Sequence, residues 1–440
     1  MRSIFSLSPY VILLALIGLA AFFVDSLFPS LRNFLPISRP EDISKIYLIS
    51  SIGCVLAVIG ILYFLRKTED NMKASKSTFV LKNIVFASQA VIVVVIIITL
   101  LQLYRDGTYS LASVIILLSL SYGVGLYCMA LLVLKFLGWF RFGREVIVLG
   151  YALTMCVFIV FLITSIMYAS HEVSTNIYPN VKSGSVGVQV VFSNPLPSVY
   201  GSYFYYAYLL TFISIYLTTL LSLRIHLKKI RPALFYIIFS IPLIYFLLKL
   251  LPFFTSFIAS LIAYSPTFYG TLYSLTFSGT GPLGGILFSL VLLAFSRKID
   301  NVSIRNYLSI SALGMLLFFI ANQNPPLQES LLPPFGLISK SFVGLSCYMI
   351  LVGIYFTVTH LSRRSTLTNV VLKELSKDRL FSSAVRSEQE MQVRTVIDKN
   401  IDHIELFQES EPKELSIDEV AELVRTVKKE ISGHKEPESS

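Results

Sequence analysis

Few side chains in this sequence are placed to do chemistry. His171 and Glu172 open the run His-Glu-Val-Ser-Thr, which starts like a zinc-binding helix but has no second histidine one turn later. A polar cap at the outer end of an apolar helix is the expected role. Cys54, Cys128, Cys156 and Cys347 share no ligand-like spacing. Each lies in an apolar stretch, where cysteine acts as a small hydrophobe and no exposed disulfide framework is available. His226, His360, His403 and His434 stand beside basic or tail residues and read as solvated. No Walker loop, dinucleotide fingerprint or nucleophile elbow occurs. The C-terminal tail is too short for a catalytic ATP-binding domain, so histidine phosphotransfer is not supported. The reading is a non-enzyme with no catalytic, metal-ligating or cofactor-binding residue to name.

The remaining candidates are polar groups within apolar runs, the usual pointer to transport. Asp25 ends the first such run and could pair with Arg32 or Lys249. Lys82 and Lys249 each lie near the end of a run, where a long side chain can reach the interface. Lys249 alternatively binds an anion. Gln89 and Asn83 read as helix–helix hydrogen-bonding groups. A proton- or sodium-coupled carrier normally needs a carboxylate at mid-depth, and none is found.

These residues must be positioned by helices in lipid. The chain has 440 residues, 55% hydrophobic and 14% charged, against roughly 25% charged in a soluble protein, and its mean hydropathy is +0.72. Only ten acidic residues occur in positions 1–360. A crossing helix needs roughly 20 apolar residues. Ten runs qualify, near 9–28, 46–65, 79–103, 110–134, 145–169, 203–222, 232–251, 280–296, 305–321 and 341–360. A backbone in lipid must satisfy its own hydrogen bonds, and runs such as Val91 to Leu101 do not alternate as barrel strands would. The expected fold is all-α: a polytopic bundle of about ten transmembrane helices over residues 1–362, then a helical cytoplasmic tail over 363–440.

The net charge of +10 is not a nucleic-acid signal. Residues 1–360 hold 23 Lys/Arg and 10 Asp/Glu, a balance of +13, whereas residues 361–440 hold 13 and 16, a balance of −3. The basic excess sits in every second connection: Arg66, Lys67, Lys73 and Lys76; Lys135, Arg141 and Arg144; Arg224, Lys228, Lys229 and Arg231; Arg297, Lys298 and Arg305. The other connections hold only Arg32, Arg39, Lys45, Arg105, Lys182 and Lys340. By the positive-inside rule the first set is cytoplasmic. The expectation is a multi-pass protein of the cell membrane with both termini cytoplasmic. The first run reads as an uncleaved span or as a signal peptide.

Two outer segments are long. In residues 171–202, the β-branched stretch Val186–Phe192 between turn signals suggests a small hairpin. From Leu250 to Ser296 no charge occurs, and Pro252 and Pro266 argue against one unbroken helix. Phe253, Phe254, Phe257, Tyr264, Phe268, Tyr269, Tyr273 and Phe277 favour the interface, which suggests a half-inserted or re-entrant segment. The glycine-rich run Gly279–Gly285 then opens the eighth span, as a hinge, a binding turn or a close helix contact.

The tail is distinct. Residues 354–411, 58 in all, contain neither glycine nor proline, so the last span can continue as helix, with Val393, Ile397, Ile401 and Ile404 on one face. A terminal helix starts at Ser416, whose capping box is completed by Glu419, and ends at Gly433. Ile417, Val420, Val424, Val427 and Ile431 form its apolar stripe. Such a stripe must be buried on the upstream helix, on a second copy or on a cytoplasmic partner, in the manner of a coiled coil. The expected partners are thus the lipid bilayer and a protein or self-contact through this helix, and no nucleic acid.

The segments Gly281-Pro282-Leu283-Gly284-Gly285-Ile286-Leu287-Phe288, Arg305-Asn306-Tyr307, Leu332-Pro333-Pro334-Phe335-Gly336-Leu337 and Gly344-Leu345-Ser346 together carry a likeness. Over roughly residues 230–430 the chain resembles uncharacterised polytopic membrane proteins of ammonia-oxidising archaea, which also end in a charged helical tail. The resemblance implies a membrane fold and carries over no activity and no site residues. The leading functional expectation is a non-enzymatic sensor or signal relay, coupling an outer aromatic-rich face to the tail. The alternatives are a transporter or channel for a neutral or hydrophobic solute, and a structural subunit of a membrane complex.

Overall fold

Uniformly apolar stretches of this length leave the backbone little choice but helix. A computed structural model describes residues 25, 40–69, 76–106, 110–144, 146–175, 199–226, 232–248, 252–265, 268, 269, 272, 280–296, 302–322, 336–363, 384–389 and 391. The elements in chain order are α1 (Pro40–Glu69), α2 (Lys76–Asp106), α3 (Leu111–Gly143), α4 (Val146–Thr175), α5 (Val199–His226), α6 (Pro232–Leu248), α7 (Pro252–Tyr264), α8 (Thr280–Ser296), α9 (Val302–Ala321) and α10 (Leu337–Arg363). No strand occurs among the described residues. Seven helices, α1 to α5, α9 and α10, are long and apolar enough to cross a membrane. α6 and α8 have 17 residues each and fall short of that length. Apart from Asp25, the first apolar run lies outside the described residues. So do the proposed 186–192 hairpin and the tail stripe from Ile417 to Ile431.

Helix α10 is the axis of the bundle, with 94% of its most apolar window buried. It packs antiparallel to α9 and parallel to α3, while α8 covers α9, and α4 and α5 complete the ring. Glycines set the closest approaches. A methyl on Gly353 would strike Ser311 and the Tyr307 carbonyl, and one on Gly314 would lie 2.8 Å from Met349 and from the Ser346 carbonyl oxygen. Small residues at facing positions let helix backbones approach, which supplies the packing that lipid does not drive. The same holds for Gly284, whose Cβ would meet the Phe212 ring at 2.5 Å, and for Gly285 against α9. These two glycines of the Gly279–Gly285 run are thus helix-contact residues.

Between α4, α5, α6, α8 and α9 lies an aromatic core. Phe212 stacks on Phe246 at 3.7 Å between ring centroids, and Phe158 stacks on Phe318 at 4.7 Å. Pro242 stands inside α6, where it removes one ladder hydrogen bond. The Tyr216 hydroxyl donates to the Phe239 carbonyl at 2.6 Å, close to that break.

The outward faces are also apolar. Ile59 and Tyr63 of α1, Ile97 and Leu101 of α2, Leu134 of α3 and Leu153 and Val160 of α4 are all exposed. Soluble monomers rarely expose contiguous apolar patches beyond a few hundred Å². An apolar ring around a buried central helix is a surface for lipid. α7 differs in kind: its 13 residues reach only about 20 Å, short of the roughly 30 Å hydrocarbon core. Its Phe257 and Tyr264 are exposed, as is Phe268 just beyond.

Candidate functional site

Helix α10 begins without a side chain to cap it. Its first helical residue is Leu337, and the preceding Gly336 adopts φ +85°, a left-handed conformation suited to glycine. An N-cap side chain normally accepts from the backbone N–H two or three residues on. Here Asp25 supplies that acceptor from the opposite end of the sequence. Its carboxylate accepts from the Gly336 N–H at 3.1 Å, the Ser339 N–H at 2.9 Å and the Ser339 hydroxyl at 2.7 Å. Asp25 is 0% exposed. A carboxylate at a helix N-terminus also complements the helix dipole.

One residue further along α10, Lys340 does the converse. Its ammonium donates to the Ala321 carbonyl at 2.6 Å, at the last residue of α9, and the side chain is 4% exposed. A cation at a helix C-terminus is likewise favoured by the dipole. The Asp25 and Lys340 charges lie within electrostatic reach of each other, and Cys54 of α1 lies close to Asp25. Two buried, opposite charges therefore close the facing ends of two adjacent helices. Removing one charge of such a pair weakens the compensation of the other.

Helix α3 completes the cluster. The Ser121 hydroxyl donates to the Lys340 carbonyl at 2.7 Å and accepts from the Gly344 N–H at 3.1 Å. It thus enters the α10 ladder at the rung those two groups would share. Gly344 permits the approach, since a methyl there would lie 2.7 Å from the Ser121 carbonyl oxygen. The neighbouring Tyr122 hydroxyl donates to Asn322 Oδ1 at 3.2 Å, and Asn322 Nδ2 donates to the Phe318 carbonyl at 2.9 Å.

A second buried polar contact lies at the other end of α3. Trp139 Nε1 donates to Glu388 Oε2 at 2.9 Å. The indole is 1% exposed and packs edge-to-face on Phe136 at 5.3 Å. Glu388 belongs to the short helical stretch 384–389, of which Ala384, Val385, Ser387 and Glu388 are buried and Arg386 is exposed. This part of the tail is seated on the base of the bundle, at the end where α3 meets α4 and α9 begins.

Several sequence expectations change. Lys340, read as an outer-connection residue before a span at 341, is inside α10 and buried, where the Ala321 carbonyl accepts from it and the Asp25 carboxylate lies within electrostatic reach. Asp25 is held by Gly336 and Ser339, while Arg32 and Lys249 lie outside the described residues. Of the two amides on α2, Asn83 is exposed and Gln89 is buried with its Nε2 unpartnered. Lys82 reaches over the Phe86 ring at 5.8 Å, and the His171 ring lies tilted against Tyr200 of α5 at 4.7 Å between centroids. Cys54, Cys128 and Cys347 are buried free thiols. Among the described residues no three metal-ligating side chains gather. Sequence reasoning passed over Ser339, Asn322, Ser121, Trp139 and Glu388, and placed Lys340 in a connection. The one available signal was Gly336 directly before an apolar run that contains a lysine.

In comparisons with protein families, curated proteins and solved structures, nothing matches this chain.

Proposed function

We propose that this chain is a non-enzymatic multi-pass membrane protein that relays a change at the Asp25–Lys340 cluster to its C-terminal tail. The observation that carries the reading is that one helix serves both contacts. Ser121 and Tyr122 of α3 hold the start of α10 and the end of α9, and Trp139 of the same helix holds Glu388. Seventeen residues separate Tyr122 from Trp139, about 26 Å of rigid helix. A sensor needs an element whose position both sites bias, and α3 with its parallel neighbour α10 has that character. Loss of the Asp25 cap would loosen the first turn of α10, alter the Ser121 grip and shift α3 at its far end.

On this reading the seven long helices, the shorter α6 and α8 and the apolar run near 9–28 make ten crossings of the cell membrane. Arg141, Arg144, Arg224 and Arg305 gather at the end where the tail is seated, and Arg105 lies at the other. That bias supports a cytoplasmic tail and a cytoplasmic N-terminus. The aromatic α7 region then lies half-inserted at the outer surface.

The test uses the single tryptophan of the chain, Trp139. In the purified full chain in detergent, Asp25→Asn should raise acrylamide quenching of Trp139. Unchanged quenching, with the fold retained by circular dichroism, would end the relay reading. A transporter for a neutral or hydrophobic solute is the second reading, favoured by the buried ionisable pair, since such groups mark transport pathways. It requires solute flux in proteoliposomes that Lys340→Met abolishes.

A further inference from the structure

We infer that the base of the bundle, the end where the tail is seated, carries sites for anionic phospholipid, each an exposed apolar stripe closed by an arginine. The inference rests on the membrane reading of the fold and not on the relay.

Three helices share one pattern. On α1, Ile59, Tyr63 and Arg66 are exposed; on α3, Leu134, Leu137 and Arg141; on α5, Leu217, Leu221 and Arg224. Within each set the residues stand three or four apart, so they lie on one helix face. The three helices also run the same way. The connections 70–75 and 107–110 are too short to run back along helices of 30 residues or more, so α1, α2 and α3 alternate in direction. α4 turns back directly after α3, and His171 near its end meets Tyr200 near the start of α5. All three arginines therefore stand at the same end, each at the foot of two lipid-facing apolar side chains. Orientation in the membrane requires basic residues at one end; it does not require them on the lipid-facing stripe of each helix.

The chemistry of the pattern is that of a phospholipid. The stripe takes an acyl chain, and the guanidinium donates two parallel hydrogen bonds to the phosphate. The connections that carry these arginines, 66–78, 135–145 and 223–231, hold 11 Lys/Arg against 3 Asp/Glu. The balance of −3 over the whole of 361–440 does not offset that excess. Such a surface favours a headgroup with net negative charge over a zwitterionic one, whose own cation it repels. Two of the sites are formed ahead of any ligand. The Arg224 guanidinium lies over the Tyr236 ring of α6 at 5.4 Å, which holds it beside an exposed tyrosine of the kind that marks the membrane interface. On α3, a methyl on Gly138 would meet nothing within 4 Å, which leaves room for a chain between Leu134 and Arg141 on the same face.

The experiment counts lipids bound to the purified, delipidated full chain in detergent by native mass spectrometry, with phosphatidylglycerol or phosphatidylcholine added. Wild type should retain phosphatidylglycerol over phosphatidylcholine roughly fivefold or more at each site. Arg66→Gln, Arg141→Gln and Arg224→Gln should each remove one strongly held phosphatidylglycerol, and the triple variant should bind the two lipids alike. These side chains are exposed, and circular dichroism checks that the fold is kept. Excess inorganic phosphate should displace no bound lipid, because it lacks the chain that fills the stripe. Equal retention of the two lipids by wild type overturns the proposal. So does a preference that survives in the triple variant, and so does displacement by inorganic phosphate. Trp139 quenching reads the relay separately, so either reading can fail alone.

Discussion

Removing the Asp25 side chain tests the reasoning about the buried pair most severely. In Asp25→Ala, the Gly336 and Ser339 N–H groups lose their acceptor, and the Ser339 hydroxyl keeps only the Gly336 carbonyl at 3.0 Å. Loss of an N-cap alone costs about 0.5–2 kcal/mol. Lys340, at 4% exposure, also loses the attraction of the Asp25 carboxylate. Breaking a buried pair from one side costs roughly 3–5 kcal/mol, and that larger figure governs the expected loss. The decisive control is the double variant Asp25→Ala/Lys340→Met. A methionine fills much of the lysine volume and carries no charge, so the double variant should recover most of the loss, keeping only the cap cost of about 0.5–2 kcal/mol. The assay is equilibrium unfolding of the full chain in mixed micelles, followed by Trp139 fluorescence. The reasoning is refuted if Asp25→Ala costs less than about 1 kcal/mol, or if the double variant is no more stable than the single one.

Other outcomes follow from single contacts. Gly344→Ala drives a methyl toward the Ser121 carbonyl oxygen at 2.7 Å, and overpacking of that kind should cost about 1–3 kcal/mol in the same assay. Gly353→Ala should cost at least as much, because backbone and side-chain atoms of α9 both block the position. Tyr122→Phe deletes one hydrogen bond to Asn322, and a loss of about 1 kcal/mol is expected; a neutral result would show that Asn322 is satisfied elsewhere. Cysteine-reactive probes should label Cys54, Cys128 and Cys347 only after unfolding, and mass spectrometry of intact protein checks this directly.

The helices were legible in the sequence because lipid leaves the backbone so few options. The expected span at 280–296 coincides with α8, and the span at 145–169 falls within α4 apart from its first residue. What was not legible depended on neighbours. Nothing local reveals that Asp25 caps a helix starting more than 300 residues later, since Gly336 shows only that a cap is missing. Lys340 reads as part of an outer connection because it stands just ahead of the apolar run near 341–360. It is buried because the α9 C-terminus presents a carbonyl and Asp25 a counter-charge, both supplied by tertiary packing. Ser121 looks like any polar residue in a span until Gly344 lets the two backbones meet. Nothing in the sequence links Trp139 to Glu388, which is one of 16 acidic residues in positions 361–440. The relay reading began from the breaker-free run after Gly353; the geometry instead points to α3 as the element that touches both ends.

Coupling between the two ends is the claim on which the account rests, and a double-mutant cycle between Asp25→Asn and Glu388→Ala measures it directly. Distant, independent sites add within roughly 0.3–0.5 kcal/mol. A relay through α3 gives an interaction term in unfolding free energy clearly above that margin. Simple additivity of the two substitutions would contradict it.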